Sequence, residues 1–198
     1  MKLRLLNGSH QAMCYIGMLL GYSTVHEALR DAQIRQLVRQ FMDRDVTPLL
    51  PAVREIDLDE YKDSLIERFS NPSIRDQLPR LGTEGSARVP KFVLPSIVEP
   101  LTRGGSIRSL SFVVASWFRY LAGTDDRGRA LPISDPMADR LRELARSGGA
   151  DPRPLLSVGE LFGDVLPHSP AFVDLVADIL REFYSIGAGA TPAKFLSS

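Results

Sequence analysis

Apolar residues recur at three- and four-residue steps along most of the chain, the spacing of one face of an α-helix. Between positions 25 and 46 the recurring residues are Ile34, Leu37, Val38, Phe41 and Met42. Thr24 is followed three residues later by Glu27, which is a capping-box signal for a helix start. We therefore predict one long helix from about Val25 to Val46, ended by Pro48 and Pro51.

A second helix is indicated after position 57. Asp57 with Glu60 can cap its start, and Asn71-Pro72 closes it. Its apolar positions share one face and are Tyr61, Leu65, Ile66 and Phe69.

Two later helix starts combine a capping residue with a proline at the first helical position. Asp135-Pro136 and Ser169-Pro170 have this pattern, so helices are expected to run from there to about Arg146 and Ile186. Glycines follow both segments, as Gly148-Gly149 and Gly187, and are suitable stops.

The strongly apolar run from Leu110 to Leu121 around Trp117 predicts a central buried helix. No alternating strand pattern is evident, so the fold class is all-α, a multi-helix domain spanning residues 1–198. Thr124 to Ser134 reads as a surface loop with solvated charges. Residues 187–198 are expected to be a loose tail or to dock against a missing neighbour.

The composition limits the function classes. Of 198 residues, 44% are hydrophobic, which is enough for a core. Lys+Arg of 24 balances Asp+Glu of 24, which argues against nucleic acid or an acidic membrane surface as partner. The apolar stretch Ala12 to Leu20 is too short to span a bilayer. We expect a soluble, cytoplasmic protein.

The cysteine and histidine usage argues against a disulfide or a zinc site. Cys14 is the single cysteine and is interpreted as a small core residue in a reducing compartment. The three histidines lack a zinc spacing, and His26 is interpreted as structural. Asp125-Asp126 is only a weak metal signal, so no metal is expected.

Lys2, Asn7 and His10 form the most informative group of polar residues. A lysine can act as a base if a buried pocket lowers its proton affinity, an amide can hold a substrate oxygen, and a histidine three residues further along a helix shares its face. Spacing alone favours a plainer interpretation, in which the lysine is solvated, Asn7-Gly8 is a turn or cap, and the histidine is a hydrogen-bonded bystander.

A longer pattern reverses that interpretation. The Lys-x4-Asn-x2-His segment resembles the motif of the mannitol dehydrogenase family, the long-chain polyol dehydrogenases that also include fructuronate and tagaturonate reductases. The resemblance continues, in order, through Gly21-Tyr22, Val25 to Ala28, Asp59 to Tyr61, Glu67 to Pro72, Arg75-Asp76, Arg80, Gly85 to Arg88 and Lys91-Phe92, and weakens toward Glu160 to Gly163.

The resemblance implies roles for particular residues. In the family, the residues matching Lys2, Asn7 and His10 act as general acid/base, as part of an oxyanion hole, and in binding and orienting the substrate. Arg80 matches an arginine that contacts sugar hydroxyls. The plainer alternative for Arg80 and Arg88 is a surface ion pair with Asp76 or Glu84. Arg88 stands where many members have a lysine, which changes a point charge into a planar fork and leaves the substrate preference open.

The resemblance also implies what lies outside this chain. In the family the motif opens a helical C-terminal domain, after a Rossmann domain that binds NAD or NADP; that N-terminal domain is expected to be missing here. No Gly-x-Gly-x-x-Gly between a strand and a helix is present, so the chain alone should bind NAD poorly. The isolated fragment is therefore expected to be inactive.

The expected reaction is metal-independent oxidation of a polyol to a ketose, mannitol to fructose. A fructuronate or tagaturonate reductase is the alternative, in which Arg80 and Arg88 would recognise a carboxylate. A non-catalytic helical module that packs against a partner domain is the third possibility.

Overall fold

The computed structural model describes residues 1–51 and 57–197, and this part of the chain folds into α-helices without a β-sheet. The prediction of an all-α, multi-helix fold is confirmed. Within the described ranges the α-helices are α1 (Gly8–Leu19), α2 (Val25–Arg30), α3 (Ala32–Gln40), α4 (Leu58–Ser70), α5 (Leu78–Gly82), α6 (Gly85–Phe92), α7 (Pro95–Arg103), α8 (Arg108–Leu121), α9 (Ala138–Gly148), α10 (Arg153–Leu156), α11 (Gly159–Phe162), α12 (Pro170–Ile186) and α13 (Thr191–Ser197). π-Helical turns at Leu3–Asn7 and Phe41–Val46 and a 3₁₀ turn at Thr47–Leu49 complete the helical segments.

The centre of the molecule is α8, as the apolar run predicted. All residues from position 109 to position 121 are buried, and α1 and α12 pack against this helix. Trp117 lies among aromatic rings, with centroids 5.7 Å from Phe118, 6.1 Å from Phe162 and 6.4 Å from Tyr15. The core therefore joins the first and the last long helices of the chain.

Asp45 caps α8 from another segment of the chain. The residue before α8, Ile107, makes no side-chain cap, but the buried Asp45 carboxylate accepts from Leu110 N at 2.9 Å and from Ser106 Oγ at 2.5 Å. Burial raises the pKa of Asp45, and these hydrogen bonds oppose that shift. The π-helical turn that carries Asp45 is thereby fixed to the start of the central helix.

The single helix predicted from Val25 to Val46 is wrong, because the chain breaks at Asp31. The backbone of Asp31 is extended (φ −68°, ψ 118°), and its carboxylate accepts from the backbone N–H groups of Gln33 and Ile34 as the N-cap of α3. An aspartate side chain competes with the helical backbone for hydrogen bonds and so favours a cap over a helix interior. The capping box of Thr24 and Glu27 at the start is confirmed.

The helix predicted to begin at Asp135-Pro136 begins later, at Ala138, and ends at Gly148. The Asp135 carboxylate accepts from Met137 N at 2.8 Å in the turn that precedes the helix, and it also accepts from the backbone N–H and the hydroxyl of Ser86 at the start of α6. The other expected bounds agree with the structure: Asp57 caps α4, α12 begins with Pro170, and Gly187 follows its end at φ 81°.

Two segments thought to be loosely attached pack against the rest of the chain. Asp125, in the predicted surface loop, is 5% exposed and accepts from the backbone N–H groups of Arg127 and Arg129, so its charge is not merely solvated. Instead of a loose tail, residues 191–197 form α13, in which Phe195 packs at 4.6 Å between ring centroids on Phe112 of α8. The tail docks on this chain's own core.

Candidate functional site

The candidate residues Lys2, Asn7 and His10 lie on the first helical segment, which enters α1 through a π-helical turn. Leu3–Asn7 is π-helical, and Gly8 continues it directly as α1. A π-turn pairs a residue with the one five positions later, so Lys2 stands one turn before Asn7. His10 follows three residues further on α1, on the same face. The spacing of the three residues therefore corresponds to one side of a continuous helix.

Gly8 allows this helix to approach the second π-helical turn. A Cβ atom at Gly8 would lie 2.8 Å from Cζ of Phe41, closer than side chains tolerate. The glycine after Asn7 thus serves close packing rather than a turn, and the interpretation of Asn7-Gly8 as a turn does not hold.

Asn7, His10 and Arg88 line one open cleft of about 700 Å³ between α1 and α6. The structure thereby brings together three of the five predicted site residues. The other lining residues, which the sequence did not single out as site residues, are Gln11, Glu84, Ala87, Lys91 and Phe92. The cleft is rich in hydrogen-bonding groups and holds both signs of charge.

A buried network ties the helices around the cleft together. Gln11 of α1 donates from Nε2 to the carbonyl of Leu81 in α5 at 3.2 Å and accepts from Tyr15 Oη at 2.9 Å. Where α6 begins, a Cβ atom on Gly85 would lie 2.9 Å from Tyr15 Oη and 2.6 Å from Nε1 of Trp117. The helix that carries Arg88 therefore rests directly on the central core.

His10 stands between this cleft and a smaller cavity. Its ring lies 5.0 Å from that of Phe69, and burial lowers the pKa of His10 to about 4. The neighbouring cations Arg80, Arg68 and Arg88 lower it further, and Asp76 raises it. At neutral pH His10 is therefore an uncharged imidazole, able to donate one hydrogen bond and accept another.

Arg80 does not line the cleft. Its guanidinium donates from Nη2 at 2.6 Å and from Nε at 3.0 Å to the same carboxylate oxygen of Asp76, four residues earlier, and its side chain is 61% exposed. Asp76 lines the smaller cavity with His10 and His26. Arg80 lowers the pKa of His10 electrostatically, but its guanidinium is paired with Asp76.

Lys2 is exposed to solvent, so the described chain does not supply the buried pocket that a lysine base requires. Large apolar side chains are also exposed nearby on the same helical segment, with Met1 at 38% and Leu3 at 51%, and Ile74 beside the His10 cavity is 46% exposed. The site is therefore open to solvent at the end that carries Lys2.

Residues proposed to be structural have structural surroundings. Cys14 is buried, and burial raises the pKa of its thiol well above the ordinary value, which fits a core residue rather than a nucleophile. His26 pairs through Nδ1 with Thr24 Oγ1 at 3.0 Å. Residues 1–51 and 57–197 contain no group of three potential metal ligands and no helix long and apolar enough to cross a membrane.

Gln11, Glu84 and Asp76 were not predicted as site residues. Gln11 follows His10 on the buried side of α1, where sequence alone does not separate packing from function. Glu84 has a left-handed backbone (φ 52°) before Gly85, and no pattern in the sequence indicates that conformation. For Asp76 the signal was present, since a position four residues before Arg80 suits an ion pair.

Comparison with known proteins agrees with the family resemblance seen in the sequence. The model of the mannitol dehydrogenase C-terminal domain matches residues 1–184. Mannitol 2-dehydrogenases of Aspergillus fumigatus and Pyricularia oryzae are 44% and 43% identical over 99% of this chain, which spans 39% of their length.

Two solved structures share the fold. A Pseudomonas fluorescens mannitol 2-dehydrogenase in ternary complex with NAD and D-mannitol superposes with a TM-score of 0.95 at 39% identity, covering all of this chain and 40% of that one. A substrate-free D-sorbitol dehydrogenase superposes with a TM-score of 0.87 at 26% identity, covering 96% of this chain and 39% of that one.

Proposed function

Because this chain belongs to the mannitol dehydrogenase family, matching its C-terminal domain, we propose that it forms the substrate-binding and catalytic part of an NAD-dependent mannitol 2-dehydrogenase. The reaction is oxidation of mannitol to fructose and its reverse. The observation that supports this most directly is the convergence of Asn7, His10 and Arg88 on one polar cleft beside the segment that begins with Lys2.

The residues of this chain suit the polyol rather than the dinucleotide. The described ranges offer no strand-to-helix glycine cradle for a pyrophosphate, whereas the cleft provides an amide, an imidazole and a guanidinium. We propose that the N-terminal region of the full-length protein, a Rossmann domain, binds NAD. The bound nicotinamide supplies a hydride acceptor for the carbinol carbon.

In the proposed mechanism Lys2 accepts the hydroxyl proton of the substrate. Asn7 donates its amide N–H₂ to the same oxygen and stabilises the negative charge that develops there. His10, uncharged at neutral pH, and Arg88 hold neighbouring hydroxyls. Arg80, which is paired with Asp76, offers its remaining N–H groups to a further hydroxyl. The exposed Lys2 requires cover by the nucleotide-binding region, because a lysine works as a base near neutral pH only when shielded from water.

The exposed apolar side chains beside Lys2 support this cover. Met1, Leu3 and Ile74 present apolar surface at the open end of the site, where a neighbouring domain would pack. We further propose that the reaction is metal-independent. We also propose a cytoplasmic location, which the single unpaired cysteine supports.

The activity is tested with the full-length protein, by following NADH formation with mannitol at alkaline pH and NADH consumption with fructose. We expect turnover by the full-length protein and none by residues 1–198 alone. A full-length protein that is inert to both substrates but reduces fructuronate would instead establish the sugar-acid activity.

The proposed base is tested by Lys2→Ala in the full-length enzyme. We expect kcat to fall by roughly three orders of magnitude, as for removal of a general base, with little change in affinity for NADH. Lys194→Ala is the matched control, because Lys194 forms a surface ion pair with Glu182 away from the cleft. Normal turnover by the Lys2 variant would refute its assignment.

A further inference from the structure

The ion pair of Asp76 and Arg80 occupies the side of Arg80 that would otherwise bind a substrate carboxylate. A guanidinium binds a carboxylate through two parallel N–H groups, and the Nε and Nη2 edge is one of the faces that can do so. Both atoms already donate to Oδ1 of Asp76, at 3.0 and 2.6 Å. Asp76 is the more buried partner, with its side chain 20% exposed against 61% for Arg80.

The backbone holds Asp76 in this position. Its carbonyl accepts from Val25 N at 2.9 Å, and two residues later Leu78 N donates to Ser23 O at 2.9 Å. These bonds fasten the segment before α5 to the start of α2, so the carboxylate faces the His10 cavity from a fixed backbone. The backbone that carries Asp76 is therefore fixed beside the His10 cavity, and Arg80 pairs with a carboxylate whose position is set by the fold.

We propose that Asp76 determines substrate specificity: by occupying and neutralising Arg80, it makes the site select an uncharged polyol or ketose and disfavour a hexuronate. This inference rests on the proposed polyol dehydrogenase function. Asp76 acts through Arg80 as a positioning residue, and its carboxylate also repels a substrate that carries its own negative charge. A neutral polyol meets no such repulsion, and its hydroxyls can use the remaining donors of the guanidinium.

The charges around His10 show why one carboxylate matters. The arginines Arg68, Arg80 and Arg88 lower the pKa of His10, and Asp76 is the anion that opposes them by raising it. On the cleft side Glu84 is a lining residue together with Arg88 and Lys91. Removal of the Asp76 charge leaves the guanidinium of Arg80 free to bind an anion.

The test is Asp76→Asn in the full-length enzyme, assayed with mannitol and fructose and, separately, with fructuronate. We expect the ratio of kcat/KM for fructose to that for fructuronate to fall by about tenfold or more, because a like-charge repulsion is removed and an anion site is released. The change should lie mainly in KM, with kcat for fructose reduced less. Asp178→Asn is the matched control, because it removes one aspartate charge from a surface pair with Arg181 on α12.

A double variant separates the effect of releasing Arg80 from the effect of a loss of protein stability. Asp76→Asn combined with Arg80→Gln should lose the gain toward fructuronate, since the released guanidinium is then absent. Asp76→Glu keeps the charge and should keep the preference for the neutral substrate, which guards against loss of activity through misfolding.

The inference fails if the substrate ratio of Asp76→Asn equals that of the parent enzyme, or if the gain persists without Arg80. It is distinguishable from failure of the proposed function, which would appear as a parent enzyme that turns over neither mannitol nor fructose.

Discussion

The side chains at the site differ in their exposure to water, and this exposure determines the charge state and the role that each can have. His10 is shielded enough to stay uncharged, whereas Lys2 is exposed. The sequence predicted that Asn7 and His10 share one side of a helix, because spacing determines which residues align. It could not predict exposure, since burial depends on distant segments such as the one that carries Phe69.

The low pKa of His10 predicts a pH dependence of folding for this chain. In the unfolded chain the imidazole has its ordinary value of 6.5, and in the folded chain about 4, so the folded state disfavours the proton. The stabilisation is fully present above pH 6.5 and is lost as the pH falls toward 4, by up to about 3 kcal/mol. Urea unfolding between pH 7.5 and pH 4.5 measures it.

His10→Gln should flatten this dependence between about pH 6.5 and 4, whereas His168→Gln, which changes an exposed histidine, should keep it. Equal pH profiles for the two variants would contradict a shielded, uncharged His10.

Side-chain caps begin α2, α3 and α4, and whether such a cap is local in sequence explains which helix bounds the sequence predicted. Local caps such as Asp57 and the capping box at Thr24 were predicted correctly. The break at Asp31 was missed because periodic apolar residues continue on both sides of it. The cap of α8 could not be predicted from nearby residues in the sequence, because the acceptor Asp45 lies 65 residues before Leu110, whose amide donates to it.

Asp45→Ala should destabilise the chain by about 1–3 kcal/mol, because it leaves the buried amide of Leu110 without its acceptor. Thermal or urea unfolding provides the measurement. Asp139→Ala, which removes a fully exposed aspartate at the start of α9, is the control and should change stability little. A loss no larger than that of the control would show that water or another group replaces the cap.

The molecule as a whole is organised around α8, to which the beginning and the end of the chain both connect. The all-α class and the central position of Leu110 to Leu121 followed from the sequence, because a helix apolar on most sides must be buried. The docking of residues 191–197 on this chain's own core was not predicted, since so short a tail gives little periodicity. Only the fold shows that Phe112 offers it an aromatic partner.

Phe195→Ala should therefore lower the free energy of unfolding by about 3 kcal/mol, because it empties a space between α8 and α13. Cooperative urea unfolding measures this loss. Ile186→Ala, at a side chain that is 44% exposed, is a suitable comparison and should have a small effect. Matching small losses for both variants would mean that the last helix is not part of the cooperative unit.

Because Trp117 lies against Gly85, the fluorescence of this tryptophan should report on the position of α6. Trp117 is the sole tryptophan of the chain, and its indole nitrogen lies directly under the first turn of the helix that carries Arg88. Its fluorescence should be blue-shifted by burial and should change in wavelength or quantum yield when that helix shifts. Occupation of the neighbouring cleft can thus be followed in real time without attaching a dye.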